Sequence, residues 1–187
     1  RAIDAVILSH AHNDHCGNLP SLVRAGFRGQ IWCTSATRDV AAYILMDAAH
    51  LQDSDVKYVN RRRIAQGKKA FEPLFTAQDA LDTLRQFVTT EYGRVFEPVP
   101  GVRAHFRDAG HILGSGVVVL DVVEEGQPKR LLFSGDLGRG GLAILRHPHQ
   151  VVRMQECGAL QADLDEGRLH PRQHPRHATL VDVADIS

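Results

Sequence analysis

The spacing of apolar and polar residues along this chain changes repeatedly, and each change marks an element. Residues 3–9, "IDAVILS", are a near-continuous run of Ile, Val and Leu, the pattern of a strand buried on both faces in a helix-covered sheet. In "NLPSLVRAGF", Asn18 can cap, Pro20 falls in the first turn and Gly26 can stop the chain, which predicts a short helix. "GQIWCTS" predicts a second strand. "SATRDVAAYILMDAAHLQ" sets Val40, Tyr43, Ile44 and Met46 at helical spacing behind Thr34 or Ser35 as cap. Residues 53–69 are polar and end in a basic cluster with Gly67 as a breaker, which predicts a solvated helix and a loop. In "TAQDALDTLRQF", Thr76 and Asp79 have the spacing of a capping box, and Leu81, Leu84 and Phe87 share one helical face.

From residue 94 the period becomes two. "RVFEPVPGVRAHFRDAG", "SGVVVLDVVEE" and "PKRLLFSGD" predict strands separated by turns, with His105 on a sheet face. After about Gly141 the pattern decays into prolines, histidines and arginines, so residues 146–187 are expected to be an irregular tail with one helix and one terminal strand. The expected fold class is therefore α/β over residues 1–145, with no internal repeat.

Composition narrows the picture modestly. The 187 residues suffice for one domain, 43% hydrophobic and 24% charged, and no apolar run reaches the roughly 18 residues of a membrane span. A formal charge of zero argues against a strongly basic nucleic-acid binder, although local patches can still hold phosphates. Cys16, Cys33 and Cys157 form no C-x-x-C pair, so neither a disulfide framework nor a cysteine zinc site is expected, and a reducing cytoplasm is. Arg1 leads directly into a strand, which sets the expected start of the gene product upstream.

The chemistry concentrates at one place. His10, His12, Asp14 and His15 occupy six positions directly behind the first strand. A single histidine usually packs or is solvated, but residues two apart in an extended segment point the same way, so His10 and His12 can converge on one ion. Asp14 and His15 fall on the following turn and can face a second. Imidazole and carboxylate ligands without thiolates suit zinc, with manganese or iron as competitors. His111, in "DAGHILGSG", and Asp136, in "LLFSGDLGR", also sit at strand ends. Alone they read as a turn histidine and a cap; beside the first cluster they become candidate ligands.

Together, "SHAHNDHCGNLPSL", "DAGHILGSG" and "FSGDLGRGG" resemble the metallo-β-lactamase fold, and within it the β-CASP nucleases related to ribonuclease J and to the nuclease subunit of the eukaryotic pre-mRNA 3′-end cleavage machinery. "TSATRDVAAYILMDAAHLQ", "YVNRRRIAQGKK" and "EPLFTAQDA" look like bacterial members of that branch. The resemblance covers residues 1 to about 145. It implies an αββα sandwich, present as an incomplete domain, and a dinuclear zinc site that hydrolyses RNA phosphodiesters. His10, His12 and His111 would bind one zinc, Asp14 and His15 the other, and Asp136 would bridge them, with Asp14 also orienting the attacking nucleophile. Manganese is an accepted substitute.

Measured against the family, the early strands with their aspartate, the β-CASP insertion and a late metal-binding histidine have no match. His147, His149, His170, His174 and His177 are the histidines that could replace the last of these, although a Pro-Arg-His tail is more often solvated. An unpaired sheet edge is then expected, and with it self-association. Arg61, Arg62, Arg63, Lys68 and Lys69 read either as a solvated charged face or as a phosphate-tracking patch beside the metal cleft. Two other readings stay open. H-x-H-x-D-H also fits a thioesterase or lactonase of the glyoxalase II kind, and a truncated copy would serve only as an interaction module.

Overall fold

The computed structural model describes residues 3–138 and the strand Leu180–Val181. Strands β1 (Ala5–Ile7), β2 (Gln30–Thr34) and β3 (Phe87–Thr90) run parallel, and β8 (Leu180–Val181) pairs with β1 on its other side, giving the order β3-β2-β1-β8. Strands β4 (Phe96–Val99), β5 (Val102–Asp108), β6 (Gly116–Glu124) and β7 (Gln127–Phe133) form an antiparallel meander in sequence order. Helices α1 (Asn13–Cys16), α2 (Leu19–Arg24), α3 (Ser35–Ala65) and α4 (Ala77–Leu84) complete the described elements.

Two cores hold these layers together. Val6, Leu8, Leu19, Ile31 and Leu45 pack between the helices and the parallel sheet. Ile7, Phe96, Phe106, Val118 and Leu120 pack between the two sheets, where Trp32 stacks on Phe96 with ring centroids 4.6 Å apart. Neighbouring residues of β1 thus enter different cores, which is why the opening run is apolar without alternation. The order helix, sheet, sheet is the expected sandwich seen from one side. At the far edge of the second sheet, β7 is the terminal strand among the described residues, and Leu131 and Phe133 are each 41% exposed.

Local chemistry sets most element ends as the pattern predicts. Thr34 caps α3 by accepting from the Thr37 amide, and Thr76 and Asp79 form a complete capping box on α4. Gly26, at φ +110°, follows the end of α2. Asn18 makes no side-chain cap bond, so α2 relies on its early proline instead.

In two places the fold departs from the periodicity. The helix expected to end near Gln52 and the solvated helix after it are one 31-residue element. Neither Gly nor Pro interrupts residues 35–65, so nothing forces a break. The polarity of the second half reflects emergence from the body: buried positions Thr37, Ala41, Leu45 and Ala49 stop there. Beyond them the returning chain supports the helix. Asn60 exchanges two hydrogen bonds with the Phe71 backbone, Gln52 accepts from the Leu74 amide, and the Arg63 guanidinium lies 3.7 Å over the Phe71 ring. The second departure is β3. The pattern carried Phe87 into a helix, whereas α4 stops at Leu84 and Phe87 opens a strand paired in parallel with Ile31. Four residues of "FVTT" are too few for a periodic signal, and among the described strands β2 is the one that pairs with them.

The domain limit at residue 145, the expected tail helix and the five tail histidines lie outside the described residues. Among those described, no helix is long and apolar enough to cross a membrane.

Two measurements test these packing assignments. Thr76→Ala removes one half of the capping box and should cost about 1 kcal/mol in urea unfolding. Burial pushes the thiols of Cys16 and Cys33 up to about 12. Both should therefore resist iodoacetamide at pH 8 in the folded chain, reacting roughly a thousandfold slower than in urea, as read by mass spectrometry.

Candidate metal centre

The centre forms where the two sheets meet. Beyond β1 the chain stays extended, with Leu8 N donating to Trp32 O at 2.8 Å, and then Ser9 O accepts from Gly116 N of β6 at 2.8 Å. This bond joins the two sheets one residue before His10. α1 begins immediately after His12, turning Asp14 and His15 back beneath the strand end. The loop between β5 and β6 brings His111, and the loop after β7 brings Asp136. These loops are tied to each other, since Gly138 N donates to Ala109 O at 3.0 Å. They approach so closely that a Cβ on Gly138 would lie 1.5 Å from the Gly110 carbonyl oxygen.

His10 Nε2 and His111 Nε2 each lie 3.1 Å from His12 Nδ1. Asp136 Oδ2 is 3.6 Å from His10 Nε2 and 3.4 Å from His111 Nε2. One donor atom from each of these four residues lies within 4.8 Å of every other. Two ligand atoms on a tetrahedral zinc, each ~2.0–2.1 Å from it, are roughly 3.3 Å apart. Four of the six separations, 3.1, 3.1, 3.4 and 3.6 Å, are close to those edges. Asp136 faces two ways: its Oδ1 is 3.5 Å from His15 Nε2, which is also 3.8 Å from Asp14 Oδ2.

The electrostatics favour the same use. His10 is fully buried, and burial, reinforced by the nearby charge of His15, pushes its pKa down to about 4, so the ring is neutral near pH 7 as a ligand must be. Its Nδ1 is 3.1 Å from Ser9 Oγ, and an Nδ1–H donated to that oxygen leaves the Nε2 lone pair facing the cluster. Three imidazole nitrogens and a carboxylate, with no thiolate, suit zinc or manganese. The residues therefore fit a divalent ion. The half around Asp14 is more open, with that side chain 79% exposed.

All six residues singled out in the sequence occur at this junction. The basic cluster does not. Arg61 and Arg62 stand near the end of α3, whose start touches the His111 loop, so they lie roughly 40 Å along the helix at 1.5 Å per residue. Because α3 runs unbroken from Ser35 to Ala65, its arginines and the donor cluster lie toward opposite ends of one element. Arg63, moreover, is engaged with Phe71 and donates to Lys69 O. The sequence reading missed Ser9, whose only signal is its place before His10. It also missed the clamp on the His111 loop, in which the hydroxyls of Thr34 and Thr37 donate to Gly114 O at 2.7 and 2.8 Å. Ser115 accepts through Oγ from the amides of His111 and Ile112, fixing the turn that carries the ligand.

Residues 1–179 match the metallo-beta-lactamase superfamily. The chain belongs to that superfamily. Curated relatives include ribonuclease TTHA0252 of Thermus thermophilus, 33% identical over 148 residues, which are 79% of this chain and 29% of the relative. Transcription termination factor FttA of Pyrococcus horikoshii is 35% identical over 121 residues, 64% of this chain and 16% of its own length. FttA of Methanothermobacter thermautotrophicus is 33% identical over 139 residues, 72% and 19% respectively. The metallo-beta-lactamase chain described here thus spans less than a third of each of these relatives.

Gly114 offers a test of how this superfamily member holds its ligand loop. It sits at φ +83°, and a Cβ there would lie 2.5 Å from Thr37 N and 2.8 Å from both threonine hydroxyls. Gly114→Ala should lower stability by ~2 kcal/mol or more in urea unfolding and weaken divalent-metal binding in a competition titration, because the clamp and His111 move together.

Proposed function

We propose that this chain carries the dinuclear zinc centre of a hydrolase that cleaves RNA phosphodiesters, in the β-CASP branch of the superfamily. The observation that carries the reading is the split orientation of Asp136, with Oδ2 toward His10 and His111 and Oδ1 toward His15. In this reading His10, His12 and His111 bind one zinc, Asp14 and His15 bind the second, and Asp136 bridges; manganese can substitute. Bound there, the two cations would supply Lewis acidity, acidifying a water and neutralising charge on phosphate oxygens. Ser9 holds the His10 ring in the ligating tautomer, and the clamped His111 loop keeps the donor geometry fixed without rearrangement. Asp14, exposed at the mouth of the centre, orients the attacking nucleophile. Two relatives matched over most of this chain are named for a ribonuclease and for transcription termination, which supports RNA as the substrate. The basic end of α3 would then contact only a long RNA, well away from the scissile bond. The buried, unpaired thiols of Cys16 and Cys33 accord with a reducing cytoplasm.

Zinc-loaded protein freed of excess metal should hold two equivalents by mass spectrometry of the metal content, falling to one or fewer in Asp136→Ala. It should cleave labelled RNA and bis-p-nitrophenyl phosphate, with loss of at least a hundredfold in Asp136→Ala and on chelation. A thioester cleaved while RNA stays intact would move the chain to the glyoxalase II kind. Zero metal would leave it an interaction module.

A further inference from the structure

In a chain of zero formal charge, the end of α3 is strongly basic. Residues 57–69 hold six of the 22 lysines and arginines, Lys57, Arg61, Arg62, Arg63, Lys68 and Lys69, and no aspartate or glutamate. The fold gathers them further. Behind α3 the chain reverses at Gly67, at φ +67°, so that Lys68 N donates to Arg63 O and Arg63 Nε donates to Lys69 O, both at 2.9 Å. Lys68 and Lys69 are thereby held against the last turn of the helix. The carbonyl end of a helix carries roughly half a negative charge, which one cation already exceeds.

Two of the six are engaged. Lys57 pairs with Asp53 at 2.5 Å, and the Arg63 guanidinium lies over the Phe71 ring. Arg61, Arg62, Lys68 and Lys69 are exposed, and among the described residues no carboxylate pairs with them. An aromatic side chain sits within this set. Tyr58 is 76% exposed, and Arg61 and Arg62 follow it by three and four residues, the two positions that neighbour it on the next turn. At about 100° per residue, Arg61 falls roughly 60° to one side of Tyr58 and Arg62 roughly 40° to the other. The half-buried row Gln52, Asn60 and Arg63 meets the returning chain, which leaves Tyr58, Arg61 and Arg62 on the uncovered side. That returning chain is tied to the body, because Arg24 of α2 donates to the carbonyls of Pro73 and Leu74 at 3.0 and 3.3 Å.

We propose that the end of α3 is a docking surface for single-stranded RNA, with a base stacked on Tyr58 and the neighbouring phosphates held by Arg61, Arg62, Lys68 and Lys69. Cations interleaved with a ring suit a strand whose bases are free to stack, whereas a duplex keeps its bases paired inside. A lipid surface asks for a continuous apolar stripe, and here Arg61 separates Tyr58 from the exposed Ile64. Arg61 lies roughly 40 Å along the helix from the end that holds the His111 loop. A strand stacked at about 3.4 Å per nucleotide spans that distance in about 12. The arm therefore holds a stretch of substrate remote from the reacting bond. The proposal rests on the RNA-cleaving reading for its biological substrate and adds a second point of attachment.

The test measures binding to metal-free protein and no cleavage. Fluorescence anisotropy follows a labelled oligouridylate of about 20 nucleotides between about 50 and 200 mM salt. Affinity should fall with salt, and the double variant Arg61→Ala with Arg62→Ala should reduce the slope of log affinity against log salt by about 1.4, at roughly 0.7 per lost phosphate contact. Tyr58→Ala should weaken the oligouridylate at least fivefold with the slope unchanged, and Tyr58→Phe should restore it. An RNA duplex of the same length should be indifferent to Tyr58→Ala. All three residues are exposed, so thermal melts should match the parent. The proposal is overturned by an oligouridylate that does not bind, by a slope that the arginine variant leaves unmoved, or by affinity that survives Tyr58→Ala. An oligothymidylate bound more than fivefold tighter, or phosphatidylserine vesicles held by the same arginines in place of RNA, also overturns it. Because neither metal nor hydrolysis enters, the hydrolase reading stands or falls by its own assay.

Discussion

A buried imidazole that must keep one nitrogen open is the constraint around which this structure is organised. His10 has no solvent exposure, so its polar edges need partners inside the protein. Ser9 supplies one, and the nitrogens of His12 and the carboxylate of Asp136 gather at the other. Burial also keeps the ring neutral, which stops proton uptake from competing with a cation for the same lone pair. The cost of burying this polar cluster is offset by the two cores that flank it, one on each face of β1.

The precision of the cluster comes from backbone contacts between segments far apart in sequence. Ser9 to Gly116 and the two threonine hydroxyls to Gly114 each pin a ligand loop to a strand or helix, and Ala109 to Gly138 ties two ligand loops together. Two of these contacts need glycine for different reasons. At Gly138 the neighbouring carbonyl leaves no room for a side chain, and at Gly114 both the positive φ and the closeness of Thr37 exclude one. The loops therefore hold their donors at ligating separations with little freedom to relax, the condition under which a metal site stays preorganised.

A single helix links this centre to the outside of the molecule. α3 starts at the clamp, buries Ala41, Leu45 and Ala49 against the sheet, and then continues as an arm backed by the returning chain at Phe71 and Leu74. Its first turn holds the loop that carries His111, and its last turns carry Arg61, Arg62 and Arg63.

Much of this was legible in the residues themselves. The unbroken apolar run of β1, the caps at Thr34 and Thr76, and the tight grouping of His10, His12, Asp14 and His15 are local signals, written in neighbours a few positions apart. His111 and Asp136 were legible through their glycine-rich surroundings and through resemblance, although nothing in their own spacing brings them to the first cluster. Tertiary structure alone decided the rest. Parallel pairing made a strand of Phe87–Thr90, which is too short to declare itself, and packing against a returning segment carried α3 past the point where its buried face ends. The clamp at Gly114 exists only because residues 80 and 77 positions apart share a few ångströms, whereas Ser9 acts on its own neighbour. Periodicity records which face of an element is buried; it does not record what that face is buried against.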